Sequence, residues 1–100
     1  MASTTTPMID TYPAEINLDR RRLAATVDAL IACSQACTAC ADACLSEQNV
    51  ADLAKCIRGN LDCADVCSTT ARVLSRHTGV RRGHQPCVAG GLCHGVQVLW

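Results

Sequence analysis

The chain contains very few aromatic residues and carries no excess charge. Its 100 residues include no Phe, one Trp and one Tyr, and nine Lys and Arg balance nine Asp and Glu. A neutral chain lacks the positive surface that nucleic acids require, so we expect no nucleic-acid partner. No unbroken run of about 18 apolar residues occurs, so we expect no membrane association. A core must be built from small aliphatic residues and cysteine, and it will be thin at this length.

The N-terminal region lacks the features of a secretion signal. Residues 1–16 contain no basic residue and no apolar stretch, whereas a signal peptide needs both. The later segment RRRLAATVDALIAC, residues 20–33, superficially resembles a lipoprotein signal, but Thr26 and Asp28 interrupt its apolar run. Without a secretion signal, we expect a cytoplasmic protein with reduced thiols. Cysteines in that compartment usually serve as metal or catalytic ligands.

Cysteine is strongly over-represented, with nine in the chain, and seven of the nine follow a repeat. The pentapeptide CADAC at 40–44 returns as CADVC at 63–67, an offset of 23 residues. This offset aligns two copies of the frame C-x3-C-x2-C-x3-C, of which the second has Asn60 in place of one cysteine. The cysteines of the two copies are Cys33, Cys37, Cys40 and Cys44, then Cys56, Cys63 and Cys67.

The sequence pattern predicts that both copies lie on helices. Ala and Leu are abundant and no Gly or Pro occurs from Asn17 or Asp19, either a plausible N-cap, to about Ser46. A second helix is predicted from about Ala51 to His77. At about 100° per residue, the four cysteine offsets fall within an arc of about 60°, so each helix carries sulfur along one face. Because the loop is short, the helices are expected to be antiparallel neighbours.

These features predict an all-α fold, an antiparallel helical hairpin that is either a marginally stable monomer or forms half of a four-helix bundle by association with a second hairpin. We divide the chain into a flexible or loosely docked N-terminal arm at 1–16, the cysteine-rich hairpin at 17–79 and an irregular C-terminal tail at 80–100. The tail holds four of the six glycines and a proline, and it shows no sustained periodicity.

Several chemistries are compatible with two faces of sulfur. Free cysteine can pack as a small hydrophobe, and disulfides could join the two helices in a thiol-disulfide redox protein. Zinc and iron–sulfur sites usually take cysteines from knuckles and loops, which a long continuous row does not resemble. A row of thiolates suits a soft monovalent ion, and thiolates favour Cu(I). No cysteine is paired with His and a carboxylate in a recognisable nucleophile arrangement, so we do not expect an enzyme.

Positions 33–79, CSQACTACADACLSEQNVADLAKCIRGNLDCADVCSTTARVLSRHTG, resemble the cysteine-rich four-helix-bundle copper-binding family. This family includes the bacterial copper storage proteins and has often been labelled ferredoxin-like. The resemblance implies a bundle whose core cysteines bind several Cu(I) ions, and some members form tetramers. It implies copper storage or buffering, a homo-oligomer, and Cu(I) ligands at Cys33, Cys37, Cys40, Cys44, Cys56, Cys63 and Cys67. The alternative function is a thiol-disulfide or iron–sulfur protein.

The chain departs from the family pattern after Gly79, where members continue into two more cysteine-bearing helices. One allowed choice of codons for 80–100, read one base later, encodes a segment ending in C-x3-C-x2-C, so we interpret the tail as a frameshift product. On this hypothesis Cys87, Cys93 and His94 are not ligands. His77 is interpreted as a helix C-terminal residue that interacts with the helix dipole.

Overall fold

Two long antiparallel helices dominate the structure. The computed structural model describes residues 3–78. A short helix α1 (Thr5–Asp10) precedes α2 (Arg20–Leu45), and a 3-10 helix (Val50–Leu53) leads into α3 (Ala54–Leu74). Helices α2 and α3 pack along their length, and the described residues contain no strand. The prediction of an all-α antiparallel hairpin is confirmed.

Helix α2 begins directly after Asp19, one of the two N-cap residues predicted from the sequence. The Asp19 carboxylate accepts hydrogen bonds from the backbone N–H groups of Arg21 (2.9 Å) and Arg22 (3.3 Å). These bonds satisfy two of the donors that the first turn of a helix leaves free. The helix ends at Leu45, one residue before the predicted end.

Helix α3 ends three residues earlier than predicted, at Leu74 instead of His77. The Ser75 hydroxyl donates to the Ala71 carbonyl at 2.7 Å, and the Ser75 N–H bonds to the same carbonyl. The Arg76 N–H then bonds to the Val73 carbonyl in a tighter turn. The change from bonds four residues apart to bonds three residues apart marks the end of the helix. His77 therefore lies beyond the helix, and its predicted role at the helix C-terminus is corrected.

Small side chains lie between the two long helices. Ala41 of α2 is 1% exposed, and Ala64 and Ala71 of α3 are each 5% exposed. Alanine at a helix contact lets the two backbones approach closely because it has no side chain beyond Cβ. Small side chains are therefore among the most buried positions of the two packed helices, whereas the seven cysteines are half-buried or exposed.

A small apolar cluster closes one end of the hairpin. Ile9 of α1 packs with the N-terminal part of α2 and with Ala71 of α3, and the buried members are Ile9, Leu23, Ala24, Val27 and Ala71. The Arg20 guanidinium donates to the carbonyls of Ile9 and Ala14, which ties the arm to the start of α2. Helix α1 was not predicted from the sequence, and the division of the chain into arm, hairpin and tail stays a prediction.

Helix α2 is long and apolar enough to cross a membrane by length and composition. Its most apolar 18-residue window has a mean hydropathy of 1.4, and 17% of that window is buried within the hairpin. Core helices of soluble bundles have the same composition, so this property is weak evidence for a membrane span. Most of this apolar window is therefore left uncovered by α3 and by the arm.

Replacing Ile9 with Ala tests whether the arm stabilises the hairpin. We expect Ile9→Ala to lower the free energy of unfolding by about 2 kcal/mol, the lower end of the range for a buried isoleucine, because the arm can undock instead of leaving a cavity. Urea unfolding followed by circular dichroism measures this change. Met8→Ala is the matched control, since the neighbouring Met8 is 69% exposed. Equal stabilities of the two variants would contradict a docked arm.

Candidate metal centre

All seven predicted cysteines of the hairpin lie on one common face of α2 and α3, which we call the sulfur face. Each of them is a free thiol. Because α2 and α3 are antiparallel, the two rows run in opposite directions and meet in register: Cys33 with Cys67, Cys37 with Cys63, Cys40 with Asn60, and Cys44 with Cys56. Cys40 and Cys56 are exposed, and the other five are half-buried.

Four sulfur atoms form a connected group near the apolar cluster, which we call the four-sulfur cluster. The Cys33 Sγ atom of α2 lies 3.7 Å from the Cys63 Sγ atom of α3, and this contact links the two helices. Within the helices, the Cys33 and Cys37 sulfurs are 3.9 Å apart, and so are those of Cys63 and Cys67. The Sγ atoms of Cys33, Cys37 and Cys63 all lie within 4.8 Å of one another, close enough to hold one metal ion.

The thiols of this cluster differ in acidity. Hydrogen bonds from the Cys67, Cys63 and Cys37 thiols lower the pKa of Cys33. Donation to Cys63, together with partial burial and donation to Cys33, raises the pKa of Cys37 to about 12. Donation to Cys33, with partial burial and donation to Cys63, raises the pKa of Cys67 to about 11. Negative charge therefore forms first on Cys33, where neighbouring S–H groups stabilise it.

The remaining three cysteines gather around Asn60 toward the loop end, and we call them the three-sulfur group. The Asn60 amide nitrogen donates to the Cys40 sulfur at 3.2 Å and approaches the Cys56 sulfur at 3.7 Å. Partial burial and the neighbouring Cys40 and Cys56 raise the pKa of Cys44. The sequence repeat treated Asn60 only as a missing cysteine, although its position in the frame already placed it within the row.

The opposite face of the hairpin has a different chemical character. An open groove of about 800 Å³ runs between α2 and α3 there. Its lining contains no cysteine and consists of Ile31, Ser34, Gln35, Ser68, Thr69, Ala71, Arg72, Ser75 and Arg76. Hydroxyl and guanidinium groups are poor ligands for a soft metal ion, so this groove offers no candidate site for one.

His77 contacts the arm instead of the sulfur face. Its ring meets the Tyr12 ring edge to face, with centroids 5.2 Å apart, and the Tyr12 hydroxyl lies 3.3 Å from that of Thr78. Burial and the nearby Arg20 lower the pKa of His77. His77 thus serves to dock the arm. Cys87, Cys93 and His94 lie outside the described residues.

Comparison with known proteins identifies the family of the chain. The model of the copper storage protein family matches residues 19–96. This range begins before and ends after the motif-based resemblance at 33–79. The solved copper storage protein Ccsp from Streptomyces lividans, loaded with 10 copper equivalents, is 56% identical, with a TM-score of 0.76 over 80% of this chain and 61% of that one. No curated protein matches the chain.

Two further solved structures of the Streptomyces lividans protein resemble the chain. The H107A/H111A mutant is 61% identical, with a TM-score of 0.62 over 66% of this chain and 56% of that one. The cytosolic copper storage protein loaded with five coppers is 60% identical, with a TM-score of 0.60 over 63% of this chain and 52% of that one. The chain spans about three-fifths of the length of the first of these relatives. By sequence and by fold, the chain belongs to the copper storage protein family.

Proposed function

We propose that this protein binds and stores several Cu(I) ions on its sulfur face, in the cytoplasm and without catalysing a reaction. The observation that carries the proposal is the connected four-sulfur cluster, in which neighbouring sulfurs lie 3.7 to 3.9 Å apart. Sulfurs at this spacing can bridge successive ions, and thiolates prefer Cu(I) to harder metals. Storage follows from the chemistry: a toxic ion is held among thiolates and passes between them by ligand exchange.

Family membership supports the same function. The related Streptomyces lividans protein is a cytosolic copper storage protein that has been loaded with five and with 10 copper equivalents. Four of the seven sulfurs lie close enough together to form one connected group, so few side chains have to move to bind a metal ion. The role of each of the seven cysteines as a copper ligand is part of this proposal.

An anaerobic Cu(I) titration against a competing chelator tests the proposal. We expect several ions to bind per chain, and we expect Cys33→Ser/Cys63→Ser to remove the tightest part of the binding because it deletes the central pair of the four-sulfur cluster. Cys87→Ser/Cys93→Ser is the matched control, which removes two cysteines outside the hairpin and should leave the copper count unchanged. Binding of less than one ion per wild-type chain would refute copper storage.

Copper affinity should fall as the pH falls. The raised pKa values of Cys37 and Cys67, about 12 and about 11, keep both thiols protonated at neutral pH, so copper must displace their protons. For each proton that copper displaces, the apparent binding constant falls by about tenfold when the pH is lowered by one unit. Titrations at pH 6, 7 and 8, with a chelator that does not titrate in this range, measure the slope. An affinity that is independent of pH would contradict thiol ligation.

We further propose that two copies of the chain cover each other's sulfur faces as a homo-oligomer. Exposed residues without charge flank the cysteines on both helices: Ala29, Ala36 and Ala43 on α2, and Gly59 and Val66 on α3. Each lies three residues after or four before a cysteine and therefore on the same helix face. An uncharged face can meet its own copy without like-charge repulsion, which a two-fold interface requires.

Gly59 gives independent support for a close neighbour on this face. A glycine inside a helix costs about 0.5–1 kcal/mol relative to alanine. Within the hairpin, nothing lies within 4 Å of the position that a Cβ atom would occupy at Gly59. The hairpin alone therefore gives no steric reason for the glycine, whereas a second copy that approaches the sulfur face would.

A charge placed on the sulfur face should break the oligomer. We expect the copper-loaded wild type to sediment at about twice the chain mass of 10.6 kDa or more, and Ala36→Glu to sediment as a monomer. Gln35→Glu adds the same charge at the neighbouring position on the opposite face, and this control should assemble normally. Analytical ultracentrifugation at tens of micromolar measures the mass. A wild type that stays monomeric with and without copper rules out this assembly.

A further inference from the structure

Three thiols of the four-sulfur cluster form a compact triangle. The Cys33 Sγ atom lies 3.9 Å from the Cys37 Sγ atom along α2 and 3.7 Å from the Cys63 Sγ atom of α3. All three sulfurs lie within 4.8 Å of one another. Among residues 3–78, no other three side chains of Cys, His, Asp or Glu meet this limit. The described part of the chain therefore contains one place where exactly three sulfurs converge.

We propose that Cys33, Cys37 and Cys63 form a binding site for trivalent arsenic, which the protein takes up as arsenite. This inference goes beyond the proposed function and does not depend on it, because the geometry of the three thiols is the same whether or not the protein stores copper.

The number and arrangement of the sulfurs suit trivalent arsenic. Arsenic in this state is a soft centre that prefers sulfur to oxygen, and it forms three single bonds directed to the corners of a pyramid. Its lone pair takes the place of a fourth ligand, so a triangle of thiols completes the site. Zinc, in contrast, needs four ligands arranged as a tetrahedron. A site with three converging sulfurs thus matches arsenic more closely than it matches zinc.

Binding is a condensation in which neither arsenic nor sulfur changes oxidation state. Arsenite in neutral solution is As(OH)3, and it reacts with three thiols to give one As(SR)3 unit and three molecules of water. Three As–O bonds and three S–H bonds break, while three As–S bonds form. Each thiol proton leaves with one hydroxide of the arsenite as water. The reaction needs no oxidant, no reductant and no further co-reactant.

The hairpin favours this reaction in two ways. Cys33 and Cys37 are four residues apart on α2, and packing of α3 brings Cys63 to them, so all three thiols are present at a high effective concentration. The three side chains are also half-buried, which limits the access of water, and water is the reagent that reverses the condensation. Because the bound arsenic joins α2 to α3, it should also stabilise the folded hairpin.

The remaining cysteines of the hairpin do not form a second site of this kind. Cys67 lies 3.9 Å from Cys63, but no triangle within the 4.8 Å limit includes it. The three-sulfur group, Cys40, Cys44 and Cys56, does not meet the limit either. We therefore expect one arsenic atom per hairpin, bound by two thiols of α2 and one of α3.

Titration of the reduced protein with sodium arsenite under nitrogen tests the proposal. Excess glutathione is present throughout, because a single-thiol competitor removes arsenic that is held by fewer than three sulfurs. Native mass spectrometry should show the gain of one arsenic atom and the loss of three hydrogen atoms per chain. X-ray absorption at the arsenic edge should show three sulfur neighbours and no oxygen. We also expect the unfolding temperature to rise on binding.

Single substitutions identify the three ligands. Cys33→Ser, Cys37→Ser and Cys63→Ser should each raise the arsenite concentration at half-saturation by about 100-fold, since the gain from an added ligand on the same chain is lost. Cys67→Ser is the matched control: it removes another half-buried thiol of the same cluster and should bind arsenite like the wild type. Circular dichroism verifies that each variant is folded.

Several results would overturn this inference. It fails if glutathione prevents binding to the wild type, if arsenic keeps an oxygen neighbour, or if Cys67→Ser weakens binding as much as Cys37→Ser does. The copper titration described above is a separate measurement. A chain that binds copper but not arsenite contradicts only the arsenic site, and a chain that binds arsenite but not copper contradicts only the proposed function.

Discussion

The fold depends on the close contact that alanine allows between two long helices. Ala41, Ala64 and Ala71 are buried in the packed pair α2 and α3, and larger residues at these positions would hold the helices further apart. Close approach brings the Cys33 and Cys63 sulfurs of opposite helices to 3.7 Å. The sulfurs of both helices thus lie along one common side of the hairpin, where five are half-buried and two are exposed.

Part of this arrangement follows from the sequence alone. The spacing of four, three and four residues predicts a sulfur row on each helix because it matches the helical period, and Asp19 was one of two expected caps. The end of α3 at Leu74 was missed because no glycine or proline marks it before Gly79. The hairpin register was also beyond prediction, since it requires knowing how the turn is built.

Asn60 shows why a repeat is an incomplete guide to a site. Aligned with Cys37, it counts only as a missing ligand, and the alignment contains no information about what its amide touches. The structure reveals a donor that points at two sulfurs of opposite helices. Helix α1 was missed for a related reason: six residues carry too weak a periodicity to predict a helix, and its position is determined by the burial of Ile9.

The apolar cluster beneath the arm has a consequence for traffic along the sulfur face. Ile9, Leu23 and Val27 offer no group that could hold an ion, so within residues 3–78 the row of sulfurs stops at Cys33 and Cys67. In the homo-oligomer proposed above, this part of the row would be bounded by apolar side chains at one end and open at the loop end. Ions held in such an assembly would leave through the loop end, the most recently bound first and the earliest last.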